Sequence, residues 1–451
     1  MMLHGMTFVQ MVQCFLTWES NIIGENMRVA ITSKSTSFFT LKIDIPYSTN
    51  MLEAEEGLQQ CLNAGGMLAT KELMELHDTD GSPIMICGNR LTSKGKESKE
   101  FQTPYGAIDI FRHVYQRSSG GKTHIPLDIG CRIINTSTPK FAKMVSSKYA
   151  CDGAPGVQRD LAENHNREVA LSFIKNTTDA VGAIAEAKEE SWSYALPEMP
   201  KTVKTVSIGL DGTCLNMIED GWREAMCGTI ALFDRSGERM HTTYVAASPE
   251  YGKATFLKKL SLEVDKIVDL FPQAKIVGLA DGAASNWTFL SSKADYLLID
   301  FWHVTEYLSK AATVIFKNKD EREEWLDSTC HRLKHKSGGV TRILSELIDY
   351  KKTIKFSREG FKILESTITY LENNKEKMKY HIHVSSNMPI GSGVTEAACK
   401  TLVKQRMCKG SARWKDQGAT TVLTLRSLHL TNVRWDQFWE KYSRYGYQDA
   451  A

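Results

Sequence analysis

The feature that most constrains this chain is the order of strand and helix patterns between residues 203 and 308. Three successive strand-like runs, at 203–211, 227–234 and 240–248, are joined by short loops and predict a meander. Helix and strand patterns then alternate: helix at 254–270, strand at 275–281, helix at 284–293, strand at 295–300 and helix from 301. This order predicts an α/β fold in which an antiparallel flank joins parallel strands and helices cover the sheet.

Two aspartates close apolar strands of this series, and each precedes a glycine. Asp211 is followed by Gly212, and Asp281 is followed by Gly282. A carboxylate at the end of such a strand is held rigidly at the sheet edge while the backbone turns away, which suits a divalent cation. An isolated Asp-Gly pair is more often a plain turn. Two of them on strands expected side by side favour a cation site.

A metal site for phosphoryl transfer needs a third carboxylate, and Glu396 is the best candidate. It lies in the first turn of a last amphipathic helix predicted at 394–408, where Ser392 or Thr395 can cap the start. Glutamate in a first turn also suits the helix dipole without any site. Asp300 and His303 stand where the last strand meets its helix; they could orient a metal ligand, contact a phosphate, or only cap and pack the helix.

Several motifs together resemble the Kra-type insertion-sequence transposases of bacteria, which are DDE transposases related to the Mutator-like group. The motifs are LDGT (210–213), LADGAASNW (279–287), IDFWHVTEYL (299–308), GSGVTEAACKTLVKQRM (391–407), the pair Arg413 and Trp414, TPYGAIDIFRHVYQ (103–116), GGKTHIPLD (120–128) and TPKFAKMVSSKYA (138–150). The resemblance covers about residues 100–440, and the first 100 residues match the family poorly.

The resemblance implies a ribonuclease H-like catalytic core with a helical insertion, preceded by a mainly helical DNA-binding region. It implies that Asp211, Asp281 and Glu396 are the DDE triad and the metal ligands, supported by Asp300 and His303. The triad spacings of 70 and 115 residues leave room for the insertion before the last carboxylate. The implied cofactor is Mg²⁺ (or Mn²⁺), as two ions, and the implied partner is double-stranded DNA, both terminal inverted repeats and target, bound by a homo-oligomer.

The chain divides by pattern into five regions. They are a poorly defined N-terminal region at 1–100, a helical, helix-turn-helix-like DNA-binding domain at 101–192, the first part of the core at 201–303, a helical insertion at 304–390, and the last part of the core with basic C-terminal helices at 391–445. Within the first region we expect a strand at 37–45, a helix at 51–76 and an exposed linker at 88–100. From 103 to 188 we expect helices, one capped by Thr138 with Pro139 at its first position and a long one at 157–184, although an ordinary helical hairpin fits as well.

Basic residues are clustered although the formal net charge is only +3. Residues 400–445 hold ten basic and three acidic side chains, and residues 112–148 hold seven and one, so both stretches could face phosphates. A solvated basic face is the alternative interpretation. The predicted DNA-binding residues are Lys400, Lys404, Arg406, Lys409, Arg413, Lys140 and Lys143.

Other classes of protein fit the sequence less well. Ten scattered cysteines without a CxxC pair argue against a disulfide framework, and the lack of any apolar run of 18 residues argues against a membrane span. The first 17 residues carry no Lys or Arg and fit a secretory signal poorly, so we expect a bacterial, cytoplasmic, nucleoid-associated protein. Two functions remain as alternatives to a transposase: a ribonuclease H-like nuclease that cuts without joining, and a domesticated or inactive transposase-derived DNA-binding protein.

Overall fold

The computed structural model describes residues 21–22, 28–281 and 284–447. The apolar stretch at 1–17, on which the expectation about a secretory signal depends, and Gly282 lie outside the described residues. The chain forms two compact units, one made of residues 1–145 and 154–177 and the other of residues 146–153 and 178–451.

The first unit contains two small antiparallel sheets and several helices. Its elements in chain order are β1 (Asn21–Ile22), β2 (Arg28–Lys34), β3 (Phe39–Asp44), α1 (Met51–Glu75), β4 (Ile84–Ile86), β5 (Asn89–Gln102), β6 (Ala107–Gln116), α2 (Pro126–Gly130), α3 (Pro139–Cys151), α4 (Ala154–His165) and α5 (Leu171–Lys188), with the unit boundaries falling inside α3 and α5. The strand orders are β1-β2-β3 and β4-β5-β6. Phe101, Ile108 and Ile110 are buried in its core together with Met74 of α1.

The sequence predicted this unit only in part. The strand at 37–45 and the helix at 51–76 are confirmed as β3 and α1. The prediction of an exposed linker at 88–100 is wrong, because these polar residues form β5 and pair with β6. The prediction of helices from residue 103 is wrong at 107–116, because these residues form β6. The long helix expected at 157–184 is two helices, separated where Asn166 adopts a left-handed conformation with φ of 49°.

Helix α3 starts at Pro139 as predicted, but Thr138 caps it differently. The Thr138 carbonyl accepts a hydrogen bond from the Ala142 amide at 2.9 Å, the first bond of the helix. The buried Thr138 hydroxyl has no hydrogen-bond partner among the described residues. Its side chain therefore does not supply the expected cap.

A five-stranded sheet organises the second unit. Its strands are β7 (Thr205–Met217), β8 (Gly221–Phe233), β9 (Arg239–Ala247), β10 (Lys275–Ala280) and β11 (Tyr296–Ile299), and their spatial order is β11-β10-β7-β8-β9. The first three strands pair antiparallel, whereas β7, β10 and β11 are parallel. The predicted antiparallel flank and parallel strands are therefore confirmed, and the chain is a mixed α/β protein.

Strand β7 differs from its predicted length. It was expected to end at Asp211 but continues to Met217, paired with β8 along its whole length as far as Gly221. Asp211 consequently lies inside a long strand and not at its end. The backbone does not turn away at Gly212, so the reason for that glycine lies elsewhere.

Helices cover the sheet and extend its core. The helices up to residue 385 are α6 (Ala254–Leu270), α7 (Ala284–Ser291), α8 (Phe301–Ile315), α9 (Lys319–His335), α10 (Gly339–Thr353), α11 (Arg358–Asn374), a short 3₁₀ turn (Lys375–Lys377) and α12 (Tyr380–Ser385). Side chains such as Val206 and Ile208 of β7 share one hydrophobic core with Leu347 and Leu364 from the predicted insertion. The insertion is therefore packed against the sheet through a continuous core.

A second cluster of buried residues lies where the C-terminal helices pack. The predicted last long helix is divided into α13 (Gly393–Ala398), a π-helical segment (Cys399–Lys404) and α14 (Gln405–Met407), and α15 (Asp416–Leu430) and α16 (Arg434–Tyr445) follow. Leu215 of β7 and Cys227 of β8 pack there against Ala398 and Leu402. Within the described ranges of the chain, no helix is both long and apolar enough to cross a membrane.

Candidate active site

Asp211 of β7 and Asp281, which directly follows the neighbouring strand β10, lie level with each other. The parallel register pairs Gly209 of β7 with Leu279 of β10, and each aspartate comes two residues later. Neighbouring strands lie about 4.8 Å apart. Burial raises the pKa of Asp211, and the negative charge of Asp281 raises it further. The fold therefore brings the two predicted aspartates together, and their like charges repel.

A thiol fixes the orientation of the Asp211 carboxylate. Its Oδ1 accepts the Gly212 amide at 2.7 Å, and its Oδ2 accepts the Cys399 thiol at 3.6 Å. A hydrogen bond with Cys227, together with burial, raises the pKa of Cys399, so the thiol stays protonated and remains a donor. Cys399 lies one helical turn beyond Glu396, which links the C-terminal helical segment to the strand of Asp211.

Close packing against β7 and β8 positions α13, the helix of Glu396. The Thr395 hydroxyl lies 2.7 Å from the Thr229 hydroxyl of β8. A Cβ on Gly209 would lie 2.0 Å from Thr395 Oγ1, so α13 can approach only because residue 209 has no side chain. Neither residue proposed as a cap serves as one through its side chain: Thr395 bonds to Thr229, and Ser392, although at the cap position, makes no capping bond.

Glu396 is instead joined to Asp300 through Ser392. The Ser392 hydroxyl lies 2.8 Å from Glu396 Oε1 and 2.8 Å from Asp300 Oδ2, and the Ser392 amide also donates to Asp300 Oδ2. Asp300 Oδ1 accepts the His303 amide at 2.8 Å and so caps α8, which was one of the alternatives that the sequence left open. Asp300 is buried, whereas Glu396 is exposed.

Aromatic side chains connect the neighbourhood of His303 to that of Asp281. The rings of Tyr307 and Tyr370 stack with centroids 3.9 Å apart, and the His303 ring packs edge-on against both. The Tyr370 hydroxyl donates to the Asp281 carbonyl at 3.5 Å. Burial raises the pKa of Tyr370, and the charges of Asp281 and Asp300 act in the same direction. Tyr370 therefore stays a neutral hydrogen-bond donor near these carboxylates.

The five predicted acidic and supporting residues thus form two linked groups. Asp211 and Asp281 form one, Asp300, His303 and Glu396 form the other, and the Glu396 helix contacts Asp211 through Cys399. Among the described residues, no three His, Cys, Asp or Glu side chains are grouped closely enough to hold one metal ion.

The chemistry of these donors nevertheless suits a hard divalent cation. Carboxylate oxygens are the ligands that Mg²⁺ and Mn²⁺ prefer. Burial and the nearby charge of Asp281 both disfavour the negative charge of Asp211. A bound cation would offset both of these effects. Asp211, Asp281 and Glu396 are therefore the candidate ligands by their chemistry, although among the described residues these three side chains are not grouped around one point.

The predicted basic residues differ in their exposure. Lys400 and Lys404 are exposed and line an open groove together with Glu396 and Gly393. Lys409, Arg413 and Lys140 are exposed as well, with Arg413 donating to the Ile218 carbonyl at 2.7 Å, and Lys143 is half-buried.

Arg406 requires a correction. Its guanidinium is buried, donates to the Tyr149 carbonyl at 3.0 Å and stacks on the rings of Tyr149 and Trp414. The π-helical segment just before it changes which positions of the helix face outward, and i,i+4 spacing could not reveal this. In this structure Arg406 is a packing residue and not part of the exposed row.

Sequence reasoning missed a further acidic side chain at the site. Glu224 of β8 lies over Gly212, where a Cβ would meet its carboxyl carbon at 2.2 Å, and its charge adds to the raised pKa of Asp211. It forms an ion pair with Lys253 at 3.0 Å. The end of the Glu224 side chain thus occupies the space that a side chain at residue 212 would take. Only the register of the β7–β8 pair places these residues together, so the sequence held no local signal for Glu224.

No protein-family model and no curated protein matches this chain.

Proposed function

We propose that this chain is a DNA transposase that cleaves and joins DNA strands at the ends of an insertion sequence. The observation that carries the proposal is the position of Asp211 in β7 beside Asp281, which directly follows the adjacent parallel strand β10, with the helical segment of Glu396 packed against β7 and β8. The strand order agrees with a ribonuclease H-like core, in which the three antiparallel strands come first and two parallel strands follow. We extend that fold assignment to this unit as part of the proposal.

Different structural elements hold the three proposed catalytic carboxylates. Asp211 is held within β7, Asp281 directly follows β10, and Glu396 lies in α13 with its carboxylate bonded to the Ser392 hydroxyl. Two bound Mg²⁺ or Mn²⁺ ions would supply Lewis acidity for the attacking water or 3′-hydroxyl and for the leaving 3′-oxygen.

Exposed cations beside Glu396 account for the proposed DNA contact. Lys400 and Lys404 follow Glu396 along one groove, so a phosphate backbone lying there would pass next to Glu396. Such contacts position the strand without reading its sequence. Capture of two DNA ends requires more than one copy of the chain, so we include a homo-oligomer on DNA in the proposal.

The test is a strand-joining assay on duplexes copied from the DNA that flanks the coding sequence. Asp211→Ala, Asp281→Ala and Glu396→Ala are each expected to lower cleavage and joining in Mg²⁺ by at least about 100-fold, the scale of losing a main electrostatic contributor. DNA binding measured in chelator should be retained. Asp269→Ala, which removes an exposed carboxylate from α6, is the matched control and should keep full activity.

Each other outcome points to a different protein. Cleavage without joining would assign a nuclease, and DNA binding without cleavage in Mg²⁺ or Mn²⁺ would assign a DNA-binding protein derived from a transposase. Normal joining by one of the three variants would remove that residue from the triad.

A further inference from the structure

Ser392 lies between two carboxylates that are 96 residues apart in the sequence. Its hydroxyl oxygen is 2.8 Å from Asp300 Oδ2 and 2.8 Å from Glu396 Oε1. A serine hydroxyl carries one proton, so it can donate fully to only one of these oxygens at a time. Which oxygen receives the proton depends on the other donors available to each carboxylate.

Asp300 is supplied with donors by the backbone. Its Oδ1 accepts the His303 amide at 2.8 Å, and its Oδ2 accepts the Ser392 amide. These two bonds satisfy a carboxylate that is only 1% exposed. They also fix the backbone of residue 392 relative to the start of α8. The Ser392 hydroxyl is within donor distance of both carboxylates, so its single proton is shared between Asp300 Oδ2 and Glu396 Oε1.

Glu396 depends on that hydroxyl for its orientation. Its side chain is exposed and has three rotatable bonds, and within the described part of the chain the Ser392 hydroxyl is the hydrogen-bond donor that it contacts. Side chains that ligate metals are commonly oriented by a hydrogen bond from a neighbouring group.

We propose that Ser392 is the positioning residue for Glu396 and that Asp300 acts on Glu396 through Ser392. This inference rests on the proposed function, since it concerns the same carboxylate site. It gives Asp300 a specific role, which is to fix Ser392, the residue that orients Glu396. Asp300 therefore needs no direct contact with the cation or with DNA.

The test measures Mn²⁺ binding to the DNA-free protein by electron paramagnetic resonance. The variants are Ser392→Ala, Ser392→Thr and Glu396→Gln, with Ser385→Ala as the matched control, because Ser385 is also a serine of the same unit and bonds only to a local carbonyl at 3.0 Å. Ser392→Ala keeps the backbone amide that donates to Asp300, so the loop can keep its conformation. Circular dichroism and urea unfolding verify that each variant is folded.

We expect Ser392→Ala to weaken Mn²⁺ binding about 10-fold, the lower end of the effect of losing a group that orients a metal ligand. Ser392→Thr should restore binding to within about threefold of the parent, because it keeps the hydroxyl. The Mg²⁺ concentration that half-saturates strand joining should likewise rise for Ser392→Ala and stay close to that of the parent for Ser392→Thr.

Two outcomes would overturn the inference and can be told apart. If Glu396→Gln weakens Mn²⁺ binding but Ser392→Ala does not, Ser392 has no positioning role and the proposed function stands. If neither the parent nor any variant binds Mn²⁺, or if Glu396→Gln binds it like the parent, the carboxylate site itself fails and the inference fails with it.

Discussion

The hydroxyl oxygens of Thr229 and Thr395 lie 2.7 Å apart, and this contact ties the helix of Glu396 to the central strands of the sheet. Both residues are buried, and Gly209 lies beside them on the neighbouring strand β7. The position of Glu396 therefore depends on side chains that take no part in the chemistry.

Replacing Gly209 by alanine should displace α13. The added Cβ would lie 2.0 Å from Thr395 Oγ1, and overpacking of this kind costs about 1–3 kcal/mol. We expect the free energy of unfolding in urea to fall by that amount and strand joining to fall with it, because α13, which carries Glu396, is displaced from the sheet.

A second substitution tests whether the clash is the cause. Thr395→Ala removes Oγ1, so the double variant should be more stable than the sum of the two single effects predicts. Strictly additive losses would show that Gly209 acts through some other contact.

Substitution should lower the free energy of unfolding at Arg406 but not at Lys404. Arg406→Ala removes a buried guanidinium that bonds to the Tyr149 carbonyl and stacks on two rings, so we expect a loss of about 2–3 kcal/mol in the free energy of unfolding. Lys404→Ala should leave stability within about 0.5 kcal/mol of the parent.

DNA affinity should instead depend on Lys404 more than on Arg406. Lys404→Ala should weaken binding and reduce the slope of log affinity against log salt by about one, as expected when one phosphate contact is lost. An unchanged salt slope in Lys404→Ala, measured by fluorescence anisotropy, would place the DNA elsewhere on the protein.

His241 should make the second unit sensitive to mild acid. It is buried in β9 with its ring 3.2 Å from the Thr243 hydroxyl, and burial, with the nearby charge of Arg434, lowers its pKa to about 4. The unfolded chain titrates near pH 6.5 and so binds the proton more readily than the folded chain between these values. Stability is therefore complete above pH 6.5 and is lost as the pH falls toward 4.

The size of this effect follows from about 1.4 kcal/mol for each pKa unit, which gives at most about 3.5 kcal/mol. Urea unfolding of the parent and of His241→Gln between pH 4 and pH 8 isolates the contribution, since other groups titrate equally in both proteins. Parallel stability profiles for the two proteins would mean that His241 is not responsible.

The strand and helix order of the second unit could be read from the sequence because its signals are local. Strand-like runs of about six to nine residues between turn signals predicted β8, β9 and β10 to within a few residues of their ends, apart from the start of β8, which begins at Gly221. The continuation of β7 past Asp211 could not be read this way. Gly212 is unfavourable inside a strand and so indicated a turn, yet it lies within β7.

In the first unit the sequence pattern failed to predict a strand that is held by backbone pairing and buries few side chains. Strand β5 is polar and mostly exposed along NRLTSKGKESKEFQ, so it has no hydrophobic period to detect. Its backbone is held by hydrogen bonds to β6, which alternates buried and exposed residues in the ordinary way.

The sequence by itself determined which residues are acidic, which strands carry them and in what order those strands follow one another, because these depend on residue type and short-range pattern. Only the tertiary structure decided that Asp211 lies level with Asp281, that Glu224 crosses Gly212, that Arg406 points inward, and that Ser392 joins Asp300 to Glu396. These relationships arise from strand register and helix packing between distant segments, and a contact between distant segments leaves no periodic mark in either of them.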